Sequence, residues 1–500
     1  MAITSAEIDA AIARCEADGH VLLTARRVDD LETPVSAYLK LSGLSRHSCL
    51  LESVEGGTYR GRYSAIGLDP DLVWQSRNGT ARIARAAHSG EIADAFVEDG
   101  PALVSLKRLM AASALHMPGD LAPIAAGLFG YLGYDMIREV EALPDDAPAD
   151  PLGTPDAFLI RPRVMVVFDA VRQEILAAAP ARLSDGVDAR AAVEDAARRI
   201  DAVFNRLDSA APVQRTGRPS SAGSDPDSNL SASIFRANVD KAREYIRAGD
   251  VFQLVLSQRF STPFPAPAFS LYRSLRRTNP SPFLFFFDLD GFAIAGSSPE
   301  ILVRLRDNTV TMRPIAGTRP RGATPEEDSA NEAELMADPK ERAEHLMLLD
   351  LGRNDVGRVA RPGSVRVTER EIIERYSHVM HIVSNVEGEL GEGEDAVSAL
   401  FAGFPAGTVS GAPKVRAMEI IDEMEPHRRG IYAGAVGYFG AGGGMDTCIA
   451  LRTAIIKDGV MHVQAGAGIV LDSDPEAERM ETINKAKALF RAAEEAWRFL

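Results

Sequence analysis

The chain has 500 residues, of which 46% are hydrophobic and 25% are charged, as in ordinary soluble globular proteins. At roughly 150 residues per domain this length suits two to three domains, and the net charge of −16 argues against nucleic acid or an anionic membrane surface as the main partner. The three cysteines, Cys15, Cys49 and Cys448, are far apart and form no CxxC pair, which excludes a disulfide framework and favours a reducing compartment.

The first 207 residues alternate short helices with strands. The patterns predict helices over 6–17, 34–41, 103–110 and 187–207, strands over 20–27, 48–55, 62–68 and 127–135, and a hairpin formed by 158–170 and 174–179. Residues 208–233 are rich in Ser, Gly, Pro and Asp and have few large apolar side chains, so we interpret them as a linker. The predicted organisation is an N-terminal region 1–207, the linker, and a second domain 234–500.

The second domain groups its strands and helices in blocks. A helix over 234–248 and a strand over 251–260 precede four short strands, 283–288, 292–296, 301–306 and 309–313, which predict an antiparallel meander. Helices over 326–352, 396–402 and 414–423 are followed by strands over 431–439, 446–457 and 460–466 and a final helix over 475–499. The absence of βαβ alternation favours an α+β fold. No N-terminal stretch has an apolar signal region and no run approaches the ~20 apolar residues of a membrane span, so we expect a cytoplasmic protein.

Residues 464–485, QAGAGIVLDSDPEAERMETINK, combine two features that could serve one ligand. The glycine-rich half has almost no side chains, so its backbone could approach an anion and offer N–H groups. Asp474 and Pro475 then mark a helix start, and Glu478, Glu481 and Lys485 fall on one face of the helix. The alternative is a strand, a turn and a solvated amphipathic helix.

Two helices carry the spacing E-x-x-E, Glu341 with Glu344 and Glu478 with Glu481. Such pairs could supply hard oxygen ligands to Mg²⁺, which takes only one or two carboxylates and keeps its other positions for water and substrate. The same spacing is common on solvated helix faces, and that alternative stays open here.

Several further residues are candidates for substrate chemistry. Arg452 lies inside a predicted strand, where an arginine needs an anionic partner, either a protein carboxylate or a ligand. His378 and His381 fall on opposite faces of a strand-like run, so one is a candidate acid or base and the other an ordinary core or surface histidine. Glu300, at a strand start, could act as a general acid if burial raises its pKa.

Taken together, long runs of the sequence resemble the chorismate-utilising enzymes. The runs GSSPEILVR, RPIAGTRPRG, EHLMLLDLGRNDVGRV, GTVSGAPK, GIYAGAVGY and QAGAGIVLDSDPEAE…ETINKA occur in that family's order between about residues 234 and 490. LLES at 50–53, FGYLGYD and NPSPF narrow the resemblance to the anthranilate synthase component I family. The resemblance implies large antiparallel β-sheets packed as a sandwich with helices on the outside.

The resemblance also implies roles for individual residues. Glu344 and Glu481 would bind Mg²⁺, with Glu341 and Glu478 beside them, and the metal would hold the ring carboxylate of chorismate. The implied catalytic residues are His381, Glu300 and Thr408, and the implied substrate contacts are Gly317, Thr318, Tyr432, Arg452, Gly466, Ala467, Gly468 and Lys485.

The implied reaction is that of a lyase, the Mg²⁺-dependent amination of chorismate at C2 and loss of pyruvate to give anthranilate, which commits chorismate to tryptophan. Gln253 stands where water-adding members carry a Lys, which favours ammonia over water. Ala316 stands where aminodeoxychorismate synthases typically carry a Lys, which favours amination at C2. No cysteine lies in a glutaminase nucleophile setting, so ammonia would come from solution or from a glutamine amidotransferase subunit, and we expect a hetero-oligomer.

Finally, the resemblance implies feedback inhibition by tryptophan at a site formed by Ser53, Pro282, Phe283 and Leu284. Phe283 and Leu284 depart from the usual Tyr and Met, which alters the pocket but keeps it apolar. Two alternatives stay open, an aminodeoxychorismate synthase component I and a non-catalytic tryptophan-binding protein. The presence of Glu344, Glu481 and His381 argues against the second.

Overall fold

The computed structural model describes residues 3–53, 61–86, 90, 92–93, 95–144, 148–183, 186–212, 226–289, 291–376 and 379–500. The helices are α1 Ser5–Asp18, α2 Pro34–Leu41, α3 Ala102–Ser113, α4 Ala189–Leu207, α5 Ala232–Ala248, α6 Ala268–Thr278, α7 Pro325–Ala337, α8 Pro339–Gly357, α9 Ala396–Gly403, α10 Lys414–Met424 and α11 Pro475–Glu495. The strands of the first half are β1 His20–Val28, β2 Ser48–Glu52, β3 Tyr63–Arg77, β4 Thr80–Arg85, β5 Val97–Pro101, β6 Gly127–Leu132, β7 Ala157–Asp169, β8 Glu174–Arg182 and β9 Asp227–Ser228. Those of the second half are β10 Gln253–Pro263, β11 Phe283–Asp288, β12 Phe292–Ser298, β13 Ile301–Arg306, β14 Thr309–Met312, β15 Ile315–Pro320, β16 Arg366–Arg375, β17 Val379–Glu389, β18 Gly411–Ala412, β19 Ala435–Gly440, β20 Met445–Ile449, β21 Thr453–Lys457 and β22 Val460–Ile469.

The helix boundaries follow local capping chemistry. Asp338 caps α8 and Asp474 caps α11, each accepting two backbone N–H groups, and each is followed by a proline in the first turn. These two caps begin the helices that carry the E-x-x-E pairs. The predicted start of α11 is correct, whereas the predicted single helix 326–352 is two helices, because the chain breaks at Asp338, which ends α7 and caps α8.

The strands pair antiparallel and form two branches that share the long strands β3 and β7. One branch runs β3–β2–β11–β12–β21–β22–β10, and the other runs β7–β6–β19–β20–β13–β14–β17, with β15 and β16 also on β17. An apolar core that includes Phe129, Phe285 and Val436 lies between the branches. The branches therefore pack face to face as a sandwich.

Helices cover the outer faces of this sandwich. One outer core packs α1, α2, α4, α6 and α11 through residues such as Leu41, Ile200 and Leu489, and a second packs α3, α8 and α9 through residues such as Leu106, Leu349 and Leu400. The predicted α+β sandwich with external helices is confirmed. None of the helices in the described part of the chain is long and apolar enough to cross a membrane.

Two predictions about the strands are also wrong, and both errors lie where the chain crosses between the two branches. The predicted four-strand meander is two separate hairpins, because β12 pairs with β21 whereas β13 pairs with β20. The predicted strand 446–457 is likewise divided into β20 and β21, with Arg452 between them at φ 47°. Both chain segments cross from one branch to the other here, at 299–300 and 450–452, because a sheet that folds over on itself must bend its strands.

The predicted division at 208–233 has no sharp counterpart in the sheet. Strands from both sides of it pair directly, β2 with β11 and β6 with β19. Of the predicted linker, residues 213–225 lie outside the described residues, and α4 ends and α5 begins on either side of it. The domain boundary stays a prediction.

Candidate active site

Glu300 and Arg452 lie together at the two crossings between the branches. The backbone N–H of Ser297 donates to the carbonyl of Arg452 over 3.2 Å, and the N–H of Ile449 donates to the carbonyl of Glu300 over 3.0 Å. The crossings therefore run side by side, which brings two charged side chains from distant parts of the sequence into the interior of the sandwich.

Glu300 is an acid held in its protonated form. Its carboxyl group is buried, and burial raises its pKa to about 8, against the smaller lowering effects of a hydrogen bond from Thr408 and of the charge of Lys485. Thr408 Oγ1 donates to Glu300 Oε1 over 3.2 Å. A buried carboxylic acid that keeps its proton near neutral pH is suited to protonating a leaving group.

His381 is a neutral base in the same region. Its Nδ1 lies 2.9 Å from the carbonyl oxygen of Gly317, and since a carbonyl only accepts, Nδ1 carries the proton. Thr318 Oγ1 lies 3.1 Å from the same nitrogen. Burial lowers the pKa of His381, and the Gly317 carbonyl raises it in part. With Nδ1 engaged, Nε2 is left with the lone pair that can take a proton.

Arg452 is a half-buried cation at the crossing between β20 and β21. Within the described ranges, no residue forms an ion pair or a side-chain hydrogen bond with it, and burial alone lowers its pKa. Its charge also lowers the pKa of His381, so the two side chains are close. Of the two partners that the sequence left open for Arg452, a protein carboxylate is excluded among the described residues, and an anionic ligand remains.

The glycines of QAGAG lie within a strand and not in a loop as expected. Val255 and Ser257 of β10 direct their N–H groups away from β22, to Ser410 O and Glu425 Oε1. Because antiparallel pairing alternates, their partners Gly468 and Gly466 also direct N–H and C=O away from β10, whereas the N–H of Ala467 faces Leu256. Of the three predicted backbone contacts, the N–H of Gly468 is therefore turned away from β10 toward the site, whereas the N–H of Ala467 faces β10. The backbone of Gly466 also points away from β10, but it is already hydrogen-bonded to Tyr432 and to Lys485.

The two glycines differ in the space around them. A Cβ on Gly466 would lie 2.6 Å from the Tyr432 hydroxyl and 3.0 Å from the carbonyl oxygen of Leu256, so the backbone itself crowds this position. A Cβ on Gly468 would lie 2.6 Å from Gln253 Nε2, and it would have to displace that side-chain amide. Burial raises the pKa of the Tyr432 phenol to about 12, so it stays protonated.

The predicted metal carboxylates meet across two helices. Burial raises the pKa of Glu344, and the charges of Glu341 and Glu481 raise it further. The pKa of Glu478 is likewise raised by burial and by Glu481. Gln253, which stands where water-adding members of the family carry a Lys, forms a hydrogen bond with Glu344 and therefore lies beside this cluster. Carboxylates that repel one another at the edge of a site form a hard oxygen donor set of the kind that fits Mg²⁺.

Two of these carboxylates have protein partners. Glu481 Oε1 pairs with Lys485 Nζ at 2.7 Å, and Lys485 also donates to the carbonyl of Gly466 over 3.0 Å. Glu341 Oε1 pairs with Arg319 at 3.1 Å. In the part of the chain described by the structure, no group of three or more His, Cys, Asp or Glu residues converges on one point. A two-carboxylate site from α8 and α11 is compatible with this arrangement, because Mg²⁺ needs no more from the protein.

The predicted tryptophan residues are neighbours. Glu52 pairs with Leu284 across β2 and β11, so Ser53 follows directly opposite Phe283. Leu284 is buried in the core, and Glu52 is engaged by Arg276 over 2.7 and 3.0 Å. Residues 54–60 lie outside the described residues, as does His378. The site as a whole stays a prediction.

Two residues beside the site were missed from the sequence. The ring of Tyr376 meets that of His381 edge-on at 5.5 Å, and its hydroxyl donates to Glu374 over 2.8 Å. Arg429 lies beneath Tyr432 with its guanidinium 5.6 Å from the ring centre. No spacing signal marks either residue, because each reaches the site through tertiary packing.

A family model for chorismate-binding enzymes matches residues 69–491. The fold and the site thus define the class, and the chain belongs to the chorismate-binding enzyme family. It is 60% identical over 478 residues to anthranilate synthase component 1 of Cereibacter sphaeroides, covering 96% of this chain and 95% of the relative. It is 49% identical over 476 residues to the protein of the same name in Pseudomonas putida, covering 94% of each.

Solved structures agree with the fold. Anthranilate synthase component I from Streptococcus pneumoniae superposes with a TM-score of 0.75 at 37% identity, covering 93% of this chain and 98% of that one. The menaquinone-specific isochorismate synthase of Escherichia coli superposes with a TM-score of 0.71 at 19% identity, covering 97% and 99%. The second likeness, at such low identity, supports the fold alone.

Proposed function

We propose that this chain is the chorismate-converting subunit of an anthranilate synthase, which adds ammonia at C2 of chorismate and eliminates pyruvate. The observation that carries the proposal is the guanidinium of Arg452, which has no ion-pair partner among the described residues, beside a neutral His381 and a protonated Glu300. A dianionic substrate supplies the negative charge that Arg452 lacks, and its reaction needs one acid and one base. The names of relatives at 60% and 49% identity support the same choice.

In the proposed first half-reaction, ammonia bonds to C2, both ring double bonds shift, and the C4–O bond breaks. The ammonium group formed at C2 then loses one proton to water. Glu300 gives its proton to the departing hydroxyl, which leaves as water, and Thr408 orients the carboxyl group. Because the pKa of Glu300 is about 8, most molecules carry this proton near neutral pH. Arg452 and the outward N–H of Gly468 hold the enolpyruvyl carboxylate, beside Tyr432, which is hydrogen-bonded to the backbone of Gly466.

In the proposed second half-reaction, His381 Nε2 takes the C2 proton while the C3–O bond breaks, and the ring becomes aromatic. The enolpyruvyl group leaves and becomes pyruvate on gaining a proton. Because the Gly317 carbonyl fixes the proton of His381 on Nδ1, the lone pair on Nε2 is free to accept the C2 proton. The sum of the two halves converts chorismate and ammonia into anthranilate, pyruvate and water.

We further propose Mg²⁺ as cofactor, held by Glu344 and Glu481, with Glu341 and Glu478 beside them. When bound, the ion supplies positive charge opposite the ring carboxylate of chorismate. Burial raises the pKa of Glu344 and that of Glu478, and the charge of Glu481 raises both further; a cation at this place would relieve that carboxylate repulsion.

The proposal includes a partner and an inhibitor. Ammonia would be delivered from glutamine by an amidotransferase subunit in a cytoplasmic hetero-oligomer, as the component numbering of the relatives suggests. Tryptophan would inhibit by binding at Ser53, Pro282, Phe283 and Leu284, which the pairing of β2 with β11 supports. Omitting or adding tryptophan in the assay below tests this part separately.

Pure chain, chorismate, Mg²⁺ and ammonium chloride should together give anthranilate fluorescence, and glutamine in place of ammonium should give none without the partner. If only 4-amino-4-deoxychorismate forms, the chain is an aminodeoxychorismate synthase component and the argument from Ala316 is wrong. If chorismate is unchanged but tryptophan binds, the non-catalytic alternative holds.

A further inference from the structure

Arg429 forms a fully buried ion pair beneath the candidate active site. It lies in the segment that follows α10, with a side chain 1% exposed, and it pairs with Glu425, whose side chain is 4% exposed. The pair is bidentate, with Nη2 2.7 Å from one carboxylate oxygen and Nε 3.0 Å from the other. Removing two charges from water is costly, and apolar residues of similar size often stabilise a core as well or better. Stability therefore gives little reason for a pair here.

The remaining donors of Arg429 reach the walls of the site. Nη1 donates to the carbonyl of Val409 over 2.6 Å, next to Thr408, and Nη2 donates to the carbonyl of Val255 over 2.6 Å, two residues after Gln253. The guanidinium also lies 5.6 Å from the ring centre of Tyr432, a distance suited to a cation–π contact. One side chain thus contacts the Thr408 segment, β10 and Tyr432.

Glu425 extends the same network to the glycine strand. It accepts hydrogen bonds from the backbone N–H and the hydroxyl of Ser257, both over 2.8 Å. The bond to the backbone holds the N–H of Ser257 away from β22. Because Ser257 pairs with Gly466, the backbone N–H and C=O of Gly466 also point away from β10, toward the site. On its other side Arg429 lies 4.8 Å from the ring centre of Tyr134, which belongs to the N-terminal region.

We propose that Arg429 is a positioning residue for the reaction, whose planar guanidinium fixes Thr408, Tyr432 and Gly466 relative to one another. The inference rests on the proposed function, because the three positioned groups are those that would hold chorismate and orient Glu300. Only arginine offers four donors in one plane at these angles, and a lysine ammonium keeps the charge but has three donors and no plane.

The test compares Arg429→Lys with Arg161→Lys. Arg161 makes an equally bidentate pair with Asp71, over 2.8 and 2.7 Å, in the N-terminal region and away from the site. Arg429→Lys should raise KM and Kd for chorismate about tenfold or more and lower kcat, with KM for ammonium unchanged. Arg161→Lys should lower the melting temperature by a similar amount and leave the kinetic constants at wild-type values.

Two further variants separate positioning from folding. Should Arg429→Lys fail to fold, the double variant Glu425→Leu, Arg429→Met removes both charges and should fold with the same kinetic defect. Arg429→Ala should regain part of its activity with millimolar guanidinium and none with urea, which has a similar shape but no charge.

Wild-type kinetics in Arg429→Lys or in the double variant would overturn the inference, as would equal rescue by urea and guanidinium. These outcomes are distinct from failure of the proposed function, which is read from the wild-type chain. If wild type makes no anthranilate, the chorismate Kd alone still reports whether Arg429 positions the site.

Discussion

Replacing Glu300 with glutamine should make the protein more stable and almost inactive. The carboxyl group is buried, and burial raises its pKa from 4.5 to about 8. Glutamine has nearly the same shape and can still accept the hydrogen bond from Thr408, but it has no proton to give a leaving hydroxyl. We expect kcat to fall at least about 100-fold, since general acid catalysis typically contributes ~10²–10⁴.

The stability gain follows from proton linkage. Below about pH 4.5 the carboxyl group is protonated in both the folded and the unfolded chain, so its ionisation does not change the free energy of unfolding. As pH rises, the unfolded chain releases this proton first, and the folded chain keeps it until about pH 8. Wild-type stability therefore falls across this window relative to Glu300→Gln. At about 1.4 kcal/mol per pH unit, the difference between the two proteins should grow by about 3 kcal/mol between about pH 5 and about pH 7.5.

Urea unfolding of both proteins across this pH range measures the difference, and other titrating groups cancel because both proteins share them. Glu392→Gln, at an exposed position, is the control and should follow wild type at every pH. A stability difference between wild type and Glu300→Gln that does not change with pH would refute the raised pKa. Retained activity in Glu300→Gln would refute the role as acid.

Four other changes test the remaining parts of the site. Arg452→Gln should raise KM for chorismate about tenfold or more, because a charge-assisted hydrogen bond contributes roughly 1.5–3 kcal/mol. It should not lower the melting temperature, because Arg452 has no ion-pair partner among the residues that the structure describes; a lower melting temperature with unchanged KM contradicts this. His381→Met should let the amino intermediate accumulate, seen by liquid chromatography with mass detection, and equal loss of both half-reactions would remove His381 from the second. Glu481→Gln should raise the Mg²⁺ concentration for half-maximal rate about tenfold or more, whereas an unaltered Mg²⁺ titration would take Glu481 out of the metal site. Thr408→Val should move the alkaline limb of the pH–rate profile to higher pH, because the hydrogen bond from Thr408 lowers the pKa of Glu300. An alkaline limb at the wild-type pH would show that Thr408 does not set the pKa of Glu300.

Much of the fold could be predicted from the sequence where local chemistry decides it. The start of α11 follows from Asp474-Pro475, where the Asp474 side chain accepts free N–H groups of the first turn. Asp338-Pro339 starts α8 in the same way, but the predicted helix 326–352 ran through it. Local sequence also decides helix α2 and the hairpin of β7 and β8. Their predicted bounds lie within a few residues of the observed ones. The crossing of the strands at Arg452 was not predicted, since an apolar run on either side of it reads as one continuous strand.

The candidate site divides in a similar way. The sequence by itself determined which residues are present, namely the two E-x-x-E helices, the QAGAG run, Glu300, His381 and Arg452. Only the tertiary structure decided what state they are in. Burial raises the pKa of Glu300 and lowers that of Arg452, and both effects come from strands distant in sequence that remove water. The register of β22 on β10 decided that Gly466 and Gly468 face the site and that the N–H of Ala467 does not, because alternation along a strand depends on its neighbour.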